Sequence, residues 1–361
     1  MRFSETLNTV DLILEAKDVP LIIGEAGIGK TALVKELSKR TNSHLVTIDA
    51  NLLKEGEIGG LPIVENRKTV YAIHNKLAEV EKLADLEDDK NVILFIDELN
   101  RCEHAVQQEL MNLILNREIN GYYLADKVRV ITAMNPSNKY ESFESSDYQV
   151  VDMDAAQEDR FVWVEMDADV KEWIRWGMGQ GDKVHGNIIE FISTFPEYLH
   201  TPYSRESIKA TPRSWERVSK AYKVYNDNKD KFSIDIFYNV VKGNVGVSIA
   251  TDFMNFIKNI KNPLIKAEEL FSYEVLGVEL KDRIKRESQS RLYIMAKNSL
   301  SFLEKNINEK NINIFANILM NYPKDLRLGI MKEIKSDYST ELYKKLLEAD
   351  TFLDAFFSIY E

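Results

Sequence analysis

The sequence predicts an α/β fold, in which a parallel sheet of five strands lies between helices and is followed by a helical region. Five short apolar runs have the length and composition of buried strands. Amphipathic helical patterns separate them, an alternation typical of a parallel sheet covered on both faces. After the fifth run the strand pattern fades, which indicates helices for the rest of the chain. The five runs are 20–23, 45–48, 92–96, 128–133 and 161–166.

Helical patterns flank each of these runs. Ser4 is placed to cap a first helix, before the first apolar run. Residues 31–40, 72–86 and 105–115 repeat apolar side chains at helical spacing between later runs. Residues 169–225 carry shorter helical patterns. These elements predict a sheet that is sandwiched by helices.

The change of pattern after residue 166 predicts three domains. Residues 1–166 carry all five strand patterns and form the expected core domain. Residues 167–225 are expected to form a helical lid. A polar, charged segment at 226–231 then opens a third region, 226–361, which is predicted to be helical and whose role the sequence does not indicate.

Composition excludes several classes of protein. The formal net charge of −11 argues against binding along DNA or an acidic membrane, because Lys and Arg hold phosphate groups. The one cysteine, Cys102, cannot form an intramolecular disulfide, which fits a reducing compartment. No run approaches the roughly 20 apolar residues of a membrane span. We therefore expect a cytoplasmic protein with no membrane insertion.

A glycine-rich loop follows the first apolar run. Residues 24–31 read GEAGIGKT and match the phosphate-loop pattern G-x-x-x-x-G-K-[ST], between a strand pattern and a helix pattern as that loop requires. In such a loop backbone N–H groups cradle phosphates, the lysine contacts the β- and γ-phosphates, and the hydroxyl binds Mg²⁺. The predicted ligands are ATP and Mg²⁺. The predicted binding residues are Gly24, Glu25, Ala26, Gly27, Ile28, Gly29, Lys30 and Thr31.

Two acids end the apolar run 92–96. Because the carboxyl ends of parallel strands share one edge with the phosphate loop, Asp97 and Glu98 are expected beside the phosphates. Asp97 is predicted to support Mg²⁺ together with Thr31, and Glu98 to deprotonate the attacking water. The alternative is a solvated acidic turn. The phosphate loop favours the catalytic interpretation.

The run 128–133 also ends in polar residues at the same predicted edge. Asn135 could hold the attacking water or contact the γ-phosphate. The alternative is a turn-forming Asn before a proline. In combination with the other two motifs, the amide is predicted to be catalytic.

These motifs, in this order, resemble the AAA+ ATPases, and within them the MoxR and dynein-related branch. The acid pair continues Glu-Leu-Asn-Arg, as that branch does, and an Asn-Gly hairpin precedes the strand that ends at Asn135. An Asp-Arg-Phe motif and a Thr-Pro-Arg motif follow at the expected places, and a glycine-bearing segment resembles the insertion in the second helix. These segments are 98–101, 117–124, 159–161, 211–213 and 55–68.

The resemblance implies a ring of six subunits with ATP at each subunit boundary. Arg160 resembles the arginine finger that a subunit inserts into its neighbour's site, the alternative being a surface arginine in an ion pair. Arg213 resembles the sensor-2 arginine of the lid, and the sequence leaves open whether it acts on its own or a neighbouring nucleotide. Asn100 and Arg101 are expected at the subunit interface.

Three functions remain open at this point. By resemblance, ATP turnover drives remodelling or activation of a protein client, with a von Willebrand factor A-domain protein as partner. The second is a nucleic-acid-stimulated motor or loader, which the net charge and the lack of a recognisable DNA-binding motif disfavour. The third is a nucleotide-gated switch without turnover, which Glu98, Asn135 and Arg160 disfavour. Related GTPases carry Asn-Thr-Ala-Asp where 135–138 read Asn-Pro-Ser-Asn, which favours ATP.

Overall fold

The computed structural model describes residues 1–86, 89–140, 148, 150–179, 183–259 and 264–357. These residues divide into two compact units. The first comprises 1–172, 200–205 and 211–214, and the second 173–199, 206–210 and 215–361. The expected three-way division into 1–166, 167–225 and 226–361 stays a prediction. Residues 141–147 lie outside the described part of the chain.

The first unit is built on a five-stranded sheet whose neighbouring strands all pair in parallel. Its strands are β1 (Pro20–Ile23), β2 (His44–Asp49), β5 (Val92–Asp97), β8 (Val128–Met134) and β9 (Val162–Glu165). Their order is β2-β5-β8-β1-β9, so β8 lies between β1 and β5. The five strands expected from the apolar runs are confirmed.

Alternating side chains along the strands fill two cores, one on each face of the sheet. On one face, Ile22 and Phe95 pack with buried residues of α1 (Phe3–Glu15) and α2 (Lys30–Arg40). On the other, Leu21 and Ile96 pack with residues of α3 (Asn75–Ala84) and α4 (His104–Met111). Because both faces are buried, these strands are continuously apolar rather than alternating.

Two short antiparallel hairpins project from this unit. One joins β3 (Pro62–Glu65) to β4 (Lys68–Tyr71), and the other joins β6 (Glu118–Ile119) to β7 (Tyr122–Tyr123). At the second turn, Asn120 has φ 46° and Gly121 has φ 83°, as an Asn-Gly hairpin requires. The hairpin expected from 117–124 is therefore confirmed. A one-turn helix, α5 (Ala155–Glu158), precedes β9, and α6 (Val170–Gly177) begins after it.

The second unit is helical throughout its described secondary structure, as the sequence predicted. An apolar core drawn from helices between Ile265 and Ala355 fills its C-terminal part. A nearly buried ion pair between Arg291 and Glu190 joins two of its helices, with N–O distances of 2.9 Å. The helices from α6 onward are Val170–Gly177, Gly186–Thr194, Pro212–Asp227, Ile234–Val245, Val247–Asn259, Ala267–Ser272, Val278–Arg286, Gln289–Lys305, Glu309–Leu319, Lys324–Asp337, Thr340–Leu347 and Asp350–Phe357, that is α6 to α17.

Among the residues that the structure describes, none of these helices has both the length and the apolar composition needed to cross a membrane.

Candidate active site

The phosphate-loop sequence forms a tight connection between β1 and α2. Gly27 has φ 78° and Gly29 has φ 112°, left-handed conformations that glycine adopts at little cost. Gly24 is required for space instead, since a Cβ there would lie 2.5 Å from the carbonyl oxygen of Met166. Gly29 is the N-cap residue of α2, so the loop ends at a helix N-terminus. This arrangement provides the helix N-terminal dipole that anion-binding loops use.

Lys30 is the buried cation of the site, with 7% of its surface exposed. Its Nζ donates to the carbonyl oxygen of Gly24 at 2.6 Å and to Oδ1 of Asn135 at 3.0 Å. Burial lowers the pKa of Lys30 to about 8, and the carboxylates of Glu98 and Asp97 oppose that shift. A buried ammonium held by neutral oxygens is incompletely compensated, so the site favours an anion beside it.

Thr31 and Asp97 meet at the edge of the sheet. The Thr31 hydroxyl donates to Oδ2 of Asp97 at 2.8 Å, and Oδ1 of Asp97 accepts the backbone N–H of Glu98 at 3.0 Å. One hydroxyl and one carboxylate at the phosphate loop are the oxygen ligands that Mg²⁺ prefers. The residues present therefore fit a magnesium ion that also contacts phosphates.

Glu98 lies directly after β5 in a left-handed backbone conformation, with φ 57°. The following N–H, of Leu99, donates to the carbonyl oxygen of Ala133 at 3.0 Å and fixes this turn against β8. The Glu98 carboxylate lies 3.6 Å from the guanidinium of Arg101. Its side chain keeps 27% exposure, so water can reach the carboxylate.

Asn135 joins the acid to the lysine. It is fully buried, its Nδ2 donates to Oε2 of Glu98 at 2.6 Å, and its Oδ1 accepts from Lys30. The amide thus bridges the residue expected to activate water and the residue expected to contact phosphate. The structure brings Lys30, Asn135 and Glu98 together, and Thr31 and Asp97 adjoin them.

Asn100 holds Asn135 in place, a role that sequence reasoning missed. Its Nδ2 donates to the carbonyl oxygen of Asn135 at 2.8 Å, and its Oδ1 accepts the backbone N–H of the same residue at 3.3 Å. Asn100 is only 2% exposed within a single chain. Its side chain is thus used inside the core of its own chain, and its expected place at a subunit interface stays a prediction. The exposed Arg101 remains a candidate interface residue.

The two predicted arginines lie outside this network. Arg213 is exposed, but its backbone N–H donates to the carbonyl oxygen of Gly27 at 3.2 Å, beside the phosphate loop. Arg160 is exposed just after α5. Within the described ranges, no hydrogen bond or ion pair joins its guanidinium to the site of its own chain.

Tyr148 is a second residue that sequence reasoning missed. Its hydroxyl donates to Oε2 of Glu25 at 2.8 Å and accepts the backbone N–H of Ala26 at 3.0 Å. Burial raises the pKa of Tyr148 to about 12, and the nearby carboxylates of Glu25 and Glu98 add to that shift. The hydroxyl is therefore a hydrogen-bond donor at neutral pH, and it contacts the phosphate loop directly.

The strand order and the site together are those of a P-loop nucleotide-binding domain, with the strand that leads to Asn135 placed between the phosphate-loop strand and the acid-pair strand. Residues 20–161 match the family model described as AAA domain (dynein-related subfamily). That segment is similar to AAA domains of this subfamily, which generally bind and hydrolyse ATP with Mg²⁺. The match covers less than half of the chain and leaves the helical second unit unassigned.

Solved structures resemble the chain more distantly. A mutant of RuvB from Thermotoga maritima is 18% identical, with a TM-score of 0.40 over 75% of this chain and 81% of that chain. NtrX from Brucella abortus is 14% identical, with a TM-score of 0.34 over 92% of this chain and 67% of that chain. Likenesses at this level carry no information on activity.

Proposed function

We propose that this chain hydrolyses ATP in a six-membered ring and uses that turnover to remodel or activate a protein client, as MoxR-type ATPases do. One observation carries the catalytic part of the proposal: Asn135 connects the Glu98 carboxylate to the Lys30 ammonium at the edge of the sheet. A water-activating acid and a phosphate-binding cation within one hydrogen-bonded unit are what phosphoryl transfer to water requires. A binding switch without turnover would not need Glu98.

Lys30 and the loop amides would hold the phosphates. Lys30 is buried, and its ammonium group is held mainly by neutral oxygens. A negatively charged phosphate oxygen beside it would compensate the positive charge that burial has removed from water. Thr31 and Asp97 would hold Mg²⁺, which neutralises charge on the transferred phosphoryl group when bound. The hydrogen bond between these two side chains aligns their oxygens in advance.

Glu98 would accept the proton of the attacking water. Its carboxylate is reachable by water and is held by Asn135 at one oxygen, so its orientation is fixed before reaction. Asn135 has a second task, since its Oδ1 contacts Lys30. The amide would therefore keep the water-activating group and the phosphate-binding group at a constant separation.

The two exposed arginines would act on the charge that develops during transfer. The backbone N–H of Arg213 donates to the carbonyl oxygen of Gly27, which supports action on the nucleotide of its own chain. Arg160 is exposed and outside the network of its own chain, which supports insertion into a neighbouring subunit's site. A ring in which each boundary is completed by Arg160 from the next subunit is consistent with this arrangement.

A protein client is favoured over a nucleic acid by charge. The formal net charge of −11 opposes accumulation on a phosphate backbone. A von Willebrand factor A-domain protein is the partner that the MoxR resemblance suggests. The alternative, a nucleic-acid-stimulated motor or loader, predicts instead that DNA or RNA increases the rate of ATP hydrolysis.

The deciding experiment measures steady-state ATP hydrolysis by the purified chain, with and without DNA and RNA, together with its mass in the presence of ATP. Lys30→Ala, purified identically, reports contaminating activity. Turnover by a hexamer-sized species that ignores nucleic acid is the expected result. Strong stimulation by DNA or RNA would favour the motor, and turnover equal to that of Lys30→Ala would reject the ATPase proposal.

A further inference from the structure

A tyrosine outside the recognised motifs contacts the phosphate loop. The Tyr148 hydroxyl donates a hydrogen bond to the side-chain carboxylate of Glu25 and accepts one from the backbone N–H of Ala26. Both lie in the first half of the phosphate loop, at the second and third of its eight residues. A phosphate in the loop would repel the Glu25 carboxylate and attract loop amides. The two partners of Tyr148 are therefore groups that respond to nucleotide.

Past Tyr148, the described residues 150–160 are fixed to the core and end at Arg160. The N–H of Val151 donates to the carbonyl oxygen of Asn100 at 2.8 Å, and Nε2 of Gln107 donates to the carbonyl oxygen of Val151 at 3.3 Å. Asp152 accepts from the Ser137 hydroxyl at 2.8 Å. These contacts hold the start of residues 150–160 beside the catalytic network.

The end of the same segment is held as firmly. Lys139 donates to the carbonyl oxygen of Met153 at 2.9 Å and pairs with the carboxylate of Glu158 at 2.8 Å. Asp154 caps α5 by accepting the N–H of Gln157 at 2.9 Å. Arg160 follows directly after this capped turn. The described residues 150–160 thus form a braced connection rather than a loose loop.

We propose that Tyr148 is a positioning residue that sets the placement of Arg160 according to whether nucleotide occupies the phosphate loop of the same chain. This inference rests on the proposed function, in which Arg160 serves a neighbouring site. A shift of Glu25 and Ala26 moves the tyrosine hydroxyl, and the braced segment transmits that shift to α5. Each subunit then presents Arg160 differently when its own site is filled.

The first test follows backbone hydrogen exchange in the full-length chain, with and without Mg²⁺ and a non-hydrolysable ATP analogue. In the wild type, nucleotide is expected to change exchange at residues 151–160 by at least about twofold, besides protecting the phosphate loop. Tyr148→Phe removes only the hydroxyl, so protection of the loop should remain while the change at 151–160 disappears. Glu25→Ala, which removes the tyrosine's acceptor, should uncouple the segment in the same way.

The control is Tyr122→Phe, which deletes a half-buried hydroxyl that donates to the carbonyl oxygen of Leu77 at 3.1 Å, away from the site. It should behave as the wild type. An identical response of 151–160 in wild type and Tyr148→Phe would overturn the inference, as would a wild-type response confined to the phosphate loop. Absence of any loop protection would reject the proposed function, and the inference with it.

A second test uses turnover and a double-mutant cycle. Tyr148→Phe should lower the rate by about 5–10-fold, the effect of one lost hydrogen bond, with nucleotide affinity changed less than about twofold. In an Arg160→Ala background it should have no further effect, because both changes act on the same arginine. Equal losses in both backgrounds would show that Tyr148 acts on its own site and would refute the inference. An unaffected single variant would refute it as well.

Discussion

Replacing Asn100 by alanine tests the least obvious residue of the site. The side chain satisfies both backbone groups of Asn135, with hydrogen bonds of 2.8 and 3.3 Å. Asn135 is fully buried, so water cannot take over either bond without opening the core. Asn100→Ala therefore leaves a buried N–H and a buried carbonyl oxygen without these partners.

The expected magnitude follows from those two groups. A buried polar group left unsatisfied costs about 1–3 kcal/mol, so two groups give about 2–6 kcal/mol. Single substitutions seldom cost more than about 4–5 kcal/mol, because the surroundings relax. We expect Asn100→Ala to destabilise the strands around it by about 3 kcal/mol. ATP turnover should fall as well, because Asn135 would no longer hold the side chains of Glu98 and Lys30 at a fixed separation.

Hydrogen exchange of amides in β8 measures this cost locally, which matters in a chain with two compact units. An increase of about 100-fold in the exchange rate corresponds to the expected loss. Asn112→Ala is the matched control, since Asn112 is exposed and accepts only a 3.4 Å bond from Asn116. A loss below about 1 kcal/mol for Asn100→Ala would refute the bracing role.

Three further predictions address the cation, the acid and the pH response. Lys30→Ala should abolish nucleotide binding in calorimetry, and retained tight binding would overturn the phosphate-loop assignment. Glu98→Gln keeps an acceptor for Asn135 but loses the base, so it should bind ATP and hydrolyse it at least about 100-fold more slowly; near-normal turnover would contradict that role. Burial lowers the pKa of His200 to about 4, and Asp167 opposes the shift. Folded His200 stays neutral while the unfolded residue takes up a proton below about pH 6.5, so stability is lost as pH falls from about 6.5 to 4, by up to about 3 kcal/mol. Urea denaturation at pH 7 and 4.5 should show a smaller loss for His200→Gln, and equal losses would contradict the assignment.

The sheet was predictable because each of its strands is buried on both faces and is therefore a short run of apolar residues. The β3–β4 hairpin was not, although its segment was noticed as an insertion. Its strand residues are nearly all exposed, so no alternation of apolar and polar residues marks them. Its turn uses Asn66 and Arg67 at φ 50° and 62°, and an arginine gives no signal for a left-handed turn.

The site was predictable where one local pattern carries the chemistry. Lys30 and Thr31 belong to a contiguous loop, and Asp97 and Glu98 directly follow a strand. The role of Asn100 could not be recognised, because its partners are backbone groups of a residue 35 positions away. A bond to a backbone group requires no particular residue type at the partner position, so the sequence carries no signal of it. The role of Tyr148 depends on a contact across 123 positions. Such contacts follow from tertiary packing alone.

The backbone of Glu98 has a consequence for attempts to engineer this chain. A non-glycine residue at φ 57° costs on the order of 1 kcal/mol, and glycine avoids that penalty. That gain is offset, because the same change leaves the buried Nδ2 of Asn135 without its 2.6 Å hydrogen bond to Glu98, at a cost of about 1–3 kcal/mol. Selection for heat resistance is therefore expected to retain the glutamate at position 98 even where activity is not selected, because the acceptor that it gives Asn135 stabilises the fold.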